Sequence, residues 1–249
     1  MARFEGRVAV VTGAGSGLGR ATAMRLASEG AAVACLDIVE DGAEKTAGEI
    51  AEAGGTARAQ RVDVSDPASV RTAVEAAAAL GRPQLLVNCA GIGKFAHSTE
   101  MPFEDWQRII GVNLTGTFLM CQATLPYLLD GGGSIVNIAS NAGLMGQPYS
   151  AAYCASKAGV VNLTKALAVE FITRNVRVNC VAPGGIDTPL QAQFAQFPEG
   201  VDWKEFRKFM SPLGNSTPDE IASTIAYILS DEARYILGAV VSVDGGLTI

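Results

Sequence analysis

Tyr153 and Lys157 stand four residues apart in the stretch that begins at Ser140. On a helix that spacing puts both side chains on one face, one turn from each other. The chemistry such a pair offers is proton transfer. A phenol titrates near pH ~10 and is by itself a poor shuttle at neutral pH. An ammonium one turn away favours the phenolate and should lower that value. Ala151, Ala152, Ala155 and Ala158 supply the helical propensity the pairing needs. Tyr and Lys at this spacing also recur by accident, so the reading depends on what the rest of the chain provides.

The elements that would position the pair alternate regularly. RVAVVT (7–12) reads as a short buried strand, followed by a glycine turn and a helix to about Glu29, closed by Gly30. A strand at 31–37, a helix from about 41 to 53 and a strand at about 56–62 follow. Pro67 opens the next helix with Asp66 or Ser65 as cap. Further strands are expected at 84–88, 134–139, 176–182 and 239–243, with a helical region in pieces over 102–127. The Tyr153 helix is expected to run to about Thr173, and another from Pro218 to about Ser230. Strands that are near-continuous apolar runs, alternating with helices, predict an α/β fold: a single-domain, doubly wound parallel sheet of about seven strands with helices on both faces. One domain spanning 1–249 is expected, with an irregular segment at about 184–215 reading as a lid or substrate loop.

Composition narrows the function classes. The chain has 249 residues, of which 49% are hydrophobic and 18% charged, as a sheet buried on both faces requires. Net charge is −6 with no dense Lys/Arg block, which argues against a nucleic acid or an anionic membrane surface as partner. No run approaches the ~18 apolar residues of a membrane span, and the chain enters a strand too early for a signal peptide. The five cysteines form no CxxC pair, so a reducing cytoplasm is expected. Cys154 adjoins Tyr153 but has no histidine nearby in sequence and is read as non-catalytic. With one histidine and no Cys/His cluster, no metal site is expected.

The first strand–turn–helix carries Gly13-Ala-Gly-Ser16-Gly17-Leu18-Gly19. Glycines let a backbone turn tightly and approach a pyrophosphate at the positive end of the following helix. The spacing is neither GxGxxG nor a P-loop. The second strand ends in Asp37, whose carboxylate can accept both hydroxyls of an adenosine ribose and would repel a 2′-phosphate. Ile38 and Val39 follow it, and the nearest cation, Arg20, is expected to point down its helix. NAD is therefore favoured over NADP.

These pieces, with those that follow, resemble the short-chain dehydrogenase/reductases in their compact single-domain branch, over essentially the full length. The matching residues are Thr12 to Gly19, Asp63-Val64, Asn88-Cys-Ala90-Gly91, Asn113, Ser140, Tyr153-Cys-Ala-Ser-Lys157 and Pro183-Gly184. Cys89 departs from the asparagine frequent there. The resemblance implies a Rossmann-type sheet and a nicotinamide cofactor. It implies that Asp63 and Val64 meet the adenine, and that Asn88, Ala90 and Gly91 pack against the ribose and the glycine turn. Pro183, Gly184, Ile186 and Thr188 would frame the nicotinamide. Ser140 would hold the substrate oxygen and Tyr153 take its proton. Lys157 would hold the nicotinamide ribose, and Asn113 a water on the proton path. It also implies a homotetramer or homodimer.

The expected reaction is reversible oxidation of a secondary alcohol with NAD. Segments 92–98, 141–149 and 186–210 should line the substrate pocket through Phe95, Leu144, Met145, Tyr149, Phe194, Phe206 and Met210, which suits a moderately apolar alcohol or ketone. His97 is read as a surface residue more readily than a substrate contact. The alternatives are a 3-oxoacyl-thioester reductase, with Lys204, Arg207 and Lys208 meeting an acidic carrier protein, and a catalytically silent NAD-binding scaffold.

Overall fold

The computed structural model describes residues 2–194 and 196–249, the Gln193 side chain excepted. Seven parallel strands form one sheet: β1 (Val8–Thr12), β2 (Ala32–Asp37), β3 (Thr56–Arg61), β4 (Pro83–Asn88), β5 (Gly133–Ile138), β6 (Val176–Pro183) and β7 (Val240–Val243). Their order is β3-β2-β1-β4-β5-β6-β7. The chain reverses direction across the sheet between β1 and β4, and a doubly wound sheet opens its binding crevice at the carboxyl ends beside that reversal. β1 is buried at every position, whereas the edge strand β3 alternates between exposed and half-buried. A central strand has helices over both faces and an edge strand has fewer neighbours, so apolar runs give way to alternation.

The helices are α1 (Gly17–Ser28), α2 (Glu40–Glu52), α3 (Pro67–Ala77), α4 (Phe103–Ile110), α5 (Gly116–Leu129), α6 (Ala151–Phe171), α7 (Pro189–Phe194), α8 (Trp203–Phe206) and α9 (Pro218–Leu229). Local chemistry sets several boundaries. Asp66, not Ser65, caps α3, accepting from the N–H groups of Ala68 and Ser69, with Pro67 next in the chain. Thr217 and Glu220 make a capping box on α9. The expected helical region at 102–127 does break into pieces: α4 and α5 are joined by a π-turn at Gly111–Thr115. An 18-residue window of the stretch Phe103–Leu129 has a mean hydropathy of 1.2, which length and composition alone would pass as a membrane span. Half of it is buried, and Met120, Cys121, Leu125 and Leu128 pack in the core with Val70 and Val74 of α3 and Leu86 of β4. It is a core helix. Two apolar layers flank the sheet, one beneath α1, α2 and α9, the other beneath α3, α5 and α6.

Candidate active site

Every sequence-predicted site residue lies at or near the carboxyl edge of the sheet. The glycine turn follows β1, Asp37 ends β2, Asp63 follows β3, Asn88 ends β4, Ser140 follows β5 and Pro183 ends β6. A parallel sheet delivers all its carboxyl ends to one side, so residues far apart in sequence converge there.

The glycine turn is locked by its neighbours. Gly13 (φ 66°) and Gly17 (φ 48°) adopt the left-handed conformation that costs an L-residue its Cβ clearance. A Cβ on Gly13 would lie 3.0 Å from the Ala90 nitrogen, and one on Gly19 would overlap the Gly13 carbonyl. The Thr12 hydroxyl, to which the sequence motif assigns no role, accepts the N–H groups of Cys89 and Ala90 at 3.1 Å each. It ties the turn after β4 to the turn after β1. A hydroxyl-bearing residue at the end of an otherwise apolar strand was the signal. Asp37 is committed to the same turn: Oδ2 accepts the Gly15 N–H at 2.8 Å and Oδ1 the Val39 N–H at 2.9 Å. A carboxylate has about four acceptor sites, so capacity remains for a ribose diol.

These turns fit a dinucleotide. Ser16 precedes α1 but makes no side-chain cap, in contrast to Asp66 on α3 and Thr217 on α9. The first N–H groups of α1 are thus free of a capping side chain, which suits an anion. Thr188 sits beside this end, its Cβ 3.1 Å from where a Cβ on Gly17 would lie. Arg20 pairs with Glu49 of α2. Arg61 lies opposite Asp37 in the β2–β3 register and is exposed, a cation the sequence reading passed over because it is distant along the chain. Asp63 accepts from the Ser65 N–H and hydroxyl at 2.9 and 2.6 Å. Val64 is buried and packs against Gly116. Asn88 donates to Asn137 of β5 at 2.9 Å, while its Oδ1 is buried without a partner. Gly91 lies against Asn113 and Lys157: a Cβ there would be 3.4 Å from Asn113 Oδ1 and 3.5 Å from Lys157 Nζ. Gly184 donates to the Val243 carbonyl at 3.1 Å, and Ile186 packs on the core.

Ser140, Tyr153 and Lys157 converge and are all buried. Lys157 donates to the Ile138 carbonyl at 2.8 Å, and its Nζ lies 5.7 Å from the Tyr153 ring centroid. The Ser140 hydroxyl donates to Asn141 Oδ1 at 2.9 Å. The expected lowering of the Tyr153 phenol is not what this arrangement produces. Burial pushes it up to about 12, and the nearby Ser140 hydroxyl opposes this only in part. Burial pushes Lys157 down to about 8. The reason is desolvation: α6 and the β5 loop exclude water from both groups, which disfavours the phenolate and the ammonium alike.

Asn113 lies in the π-turn, fully buried. Its Oδ1 accepts the Ile92 N–H at 2.9 Å, and its Nδ2 donates to the Ile92 carbonyl at 2.9 Å and to Ser156 Oγ at 3.0 Å. The side chain is therefore a clamp between the loop after β4 and α6, while the Asn113 main-chain carbonyl accepts the Thr117 hydroxyl at 2.7 Å.

Of the expected pocket lining, Phe95 and Phe206 are buried, but Leu144 and Met210 are exposed, 41% and 61% respectively. Ala195 and the Gln193 side chain lie outside the described residues. His97 is half-buried, its Nε2 2.8 Å from the Glu199 carbonyl and its ring perpendicular to Tyr149. Lys208 pairs with Glu205 at 2.6 Å on an exposed surface. Cys35, Cys121 and Cys180 are buried, their thiols pushed up to about 12, 12 and 11 by desolvation.

A family model described as "Enoyl-(Acyl carrier protein) reductase" matches residues 13–248. The D-threitol dehydrogenase of Mycolicibacterium smegmatis is 43% identical, covering 99% of this chain and 95% of that protein. The cyclohexanol dehydrogenase of an Acinetobacter strain is 40% identical, covering 99% and 96%. The crystal structure of a 3-ketoacyl-(acyl-carrier-protein) reductase from Brucella melitensis, complexed with NADH, matches with a TM-score of 0.89 at 39% identity, covering 99% of this chain and 100% of that one. With the seven-stranded order, the glycine turn after β1 and Tyr153 one turn from Lys157 on α6, these likenesses show that the chain belongs to the short-chain dehydrogenase/reductase family of oxidoreductases, whose cofactor is a nicotinamide nucleotide.

Proposed function

We propose that the chain is an NAD(H)-dependent dehydrogenase that interconverts a moderately apolar secondary alcohol and its ketone, with Tyr153 as general acid/base. The observation that carries this is the buried convergence of Ser140, Tyr153 and Lys157 at the mouth of a nucleotide-fitting edge. Gly13, Ser16, Gly17, Leu18 and Gly19 would hold the pyrophosphate, and Asp37 the adenosine ribose. Asp63 and Val64 would meet the adenine, with Asn88, Ala90 and Gly91 beside the ribose. Pro183, Gly184, Ile186 and Thr188 would frame the nicotinamide. When bound, NAD+ supplies a two-electron acceptor and a positive charge that favours the Tyr153 phenolate.

The chain's own residues then orient substrate and move one proton. Ser140 donates to the substrate oxygen and fixes it within reach of Tyr153. Tyr153 takes the hydroxyl proton during oxidation and returns it during reduction. Lys157 holds the nicotinamide ribose and, as an ammonium, opposes the cost of the buried phenolate. Asn113, through its carbonyl, holds a water that passes the proton outward. Residues 184–215 form the substrate segment of a single catalytic domain. The enzyme works in the cytoplasm as a homotetramer or homodimer.

The test is a coupled assay of NAD+ and NADP+ over a panel of secondary alcohols. NAD+ is expected to be preferred by about tenfold or more, since Asp37 would face a 2′-phosphate with like charge. Preference for NADP+ would shift the cofactor assignment to Arg61, and absence of any turnover would sink the reaction. A second reading, 3-oxoacyl-thioester reduction, draws on the likeness to the Brucella reductase. It requires faster reduction of acetoacetyl-CoA than of any simple ketone.

A further inference from the structure

Five aromatic rings gather on the substrate side of Tyr153. Phe194, at the end of α7, lies 5.0 Å from the Tyr153 ring centroid and nearly perpendicular to it, at 78°. Behind it stands Phe95, 4.9 Å away and buried. Phe95 in turn stacks on Phe197 at 4.9 Å and meets Phe206 edge-on at 5.3 Å, while Trp203 closes the group against Phe197 at 4.7 Å. Such tilted and perpendicular contacts hold rings in definite orientations.

The seat of Phe194 is Gly93. A Cβ at that position would overlap the Phe194 ring. Gly93 is not among the glycines with positive φ, so space rather than backbone conformation demands its missing side chain. Several described polar groups around the cluster have partners of their own. The Tyr149 hydroxyl accepts the Asp202 N–H at 2.9 Å, Lys94 donates to Asp105 at 2.6 Å, and the His97 ring meets the Glu199 carbonyl. The wall beside Tyr153 therefore presents mainly aromatic carbon to a substrate.

We propose that Phe194 is the specificity-determining residue of the substrate site: seated on the bare Cα of Gly93, it walls the space beside Tyr153 and selects an alicyclic secondary alcohol over an open-chain polyol. The proposal rests on the alcohol–ketone reading above and narrows it. A puckered saturated ring would pack its C–H faces against the aromatic wall and leave one hydroxyl for Ser140 and Tyr153. A polyol would bring further hydroxyls against ring carbon, which pairs none of them, and unpaired polar groups are rejected strongly.

The experiment compares kcat/KM for cyclohexanol and for D-threitol at saturating NAD+, in the wild-type protein and in Phe194→Ala, Phe194→Leu and Gly93→Ala. The wild type is expected to prefer cyclohexanol by about tenfold or more. Phe194→Ala should lower that preference by about tenfold, mainly through the KM for cyclohexanol. Gly93→Ala displaces the ring from the other side and should shift the preference in the same direction. Phe194→Leu keeps much of the apolar volume and should fall between. NADH binding, followed by fluorescence, should match the wild type in each variant; where Phe194→Ala fails to bind NADH, Phe194→Leu and Gly93→Ala carry the comparison. A wild type that prefers D-threitol, or a preference unmoved by these variants, overturns this assignment alone. A wild type that binds NADH and oxidises no alcohol overturns the alcohol–ketone reading and this assignment with it.

Discussion

The carboxyl edge of the sheet is built in two different ways on its two sides. On the nucleotide side, turns are joined by hydrogen bonds that involve the main chain. The Thr12 hydroxyl takes two N–H groups of the loop after β4, Asp37 takes the N–H of Gly15, and a Cβ on Gly13 would crowd the Ala90 backbone at 3.0 Å. On the substrate side, segments 93–97 and 189–206 meet through rings: Phe95, Phe194, Phe197, Trp203 and Phe206. The first construction is directional and depends on backbone geometry. The second depends on volume and can be refilled by other apolar side chains without refolding the sheet. On the function proposed above, the first would hold a nucleotide and the second a substrate.

The comparison can be broken most sharply where the two sides meet, at Tyr153. Tyr153→Phe removes the proton-carrying atom and little volume, and turnover is expected to fall at least about a hundredfold while NADH binding stays close to wild type. Near-normal turnover would take the proton chemistry away from this residue. On the nucleotide side, Gly19→Ala drives a methyl into the Gly13 carbonyl. Overpacking of this kind costs about 1–3 kcal/mol, and NADH affinity should fall by about tenfold or more as α1 shifts. Unaltered binding by fluorescence titration would mean that the turn yields more easily than its contacts suggest.

The junction also titrates. Lys157 is held down to about 8 against an ordinary 10.5, so above pH 8 the folded chain gives up a proton that the unfolded chain keeps. Stability from this group accordingly rises with pH from about 8 to 10.5. Tyr153 works in the opposite sense: the folded chain keeps its proton up to about 12 while the unfolded chain loses it near 10. Denaturation midpoints should show a rise between pH 8 and 10 that Lys157→Met flattens. Parallel curves for the two proteins would show that Lys157 is not desolvated as strongly as its burial implies. The smallest effect is expected on the substrate side. Tyr149→Phe loses the hydrogen bond from the Asp202 N–H, a net contribution of about 1 kcal/mol, and should raise KM severalfold at most with kcat and NADH binding retained. A hundredfold loss of kcat would instead place Tyr149 in the chemistry.

Much of the framework was written locally. The alternation of apolar runs with helices, the glycine turn, Asp37 at a strand end and the Asp66–Pro67 helix start each depend on residues within a few positions of one another, and the structure has them where the sequence indicates. The four-residue step from Tyr153 to Lys157 is likewise a property of one helix. What was not legible depends on contacts between distant segments. The resemblance gives Asn113 a water on the proton path, but only the approach of the loop after β4 shows its amide clamping Ile92. Gly93 lies in the expected pocket segment 92–98, but nothing local shows that Phe194, from far along the chain, fills its missing side chain. Even the sign of the Tyr153 shift escaped local reasoning. The nearby Lys157 predicted a lower value, and the burial of both groups raised it instead. Spacing within a helix fixes which groups are neighbours, because helical geometry is the same everywhere. The solvent around those groups, and the distant surfaces that press on them, exist only once the sheet has brought its carboxyl ends together.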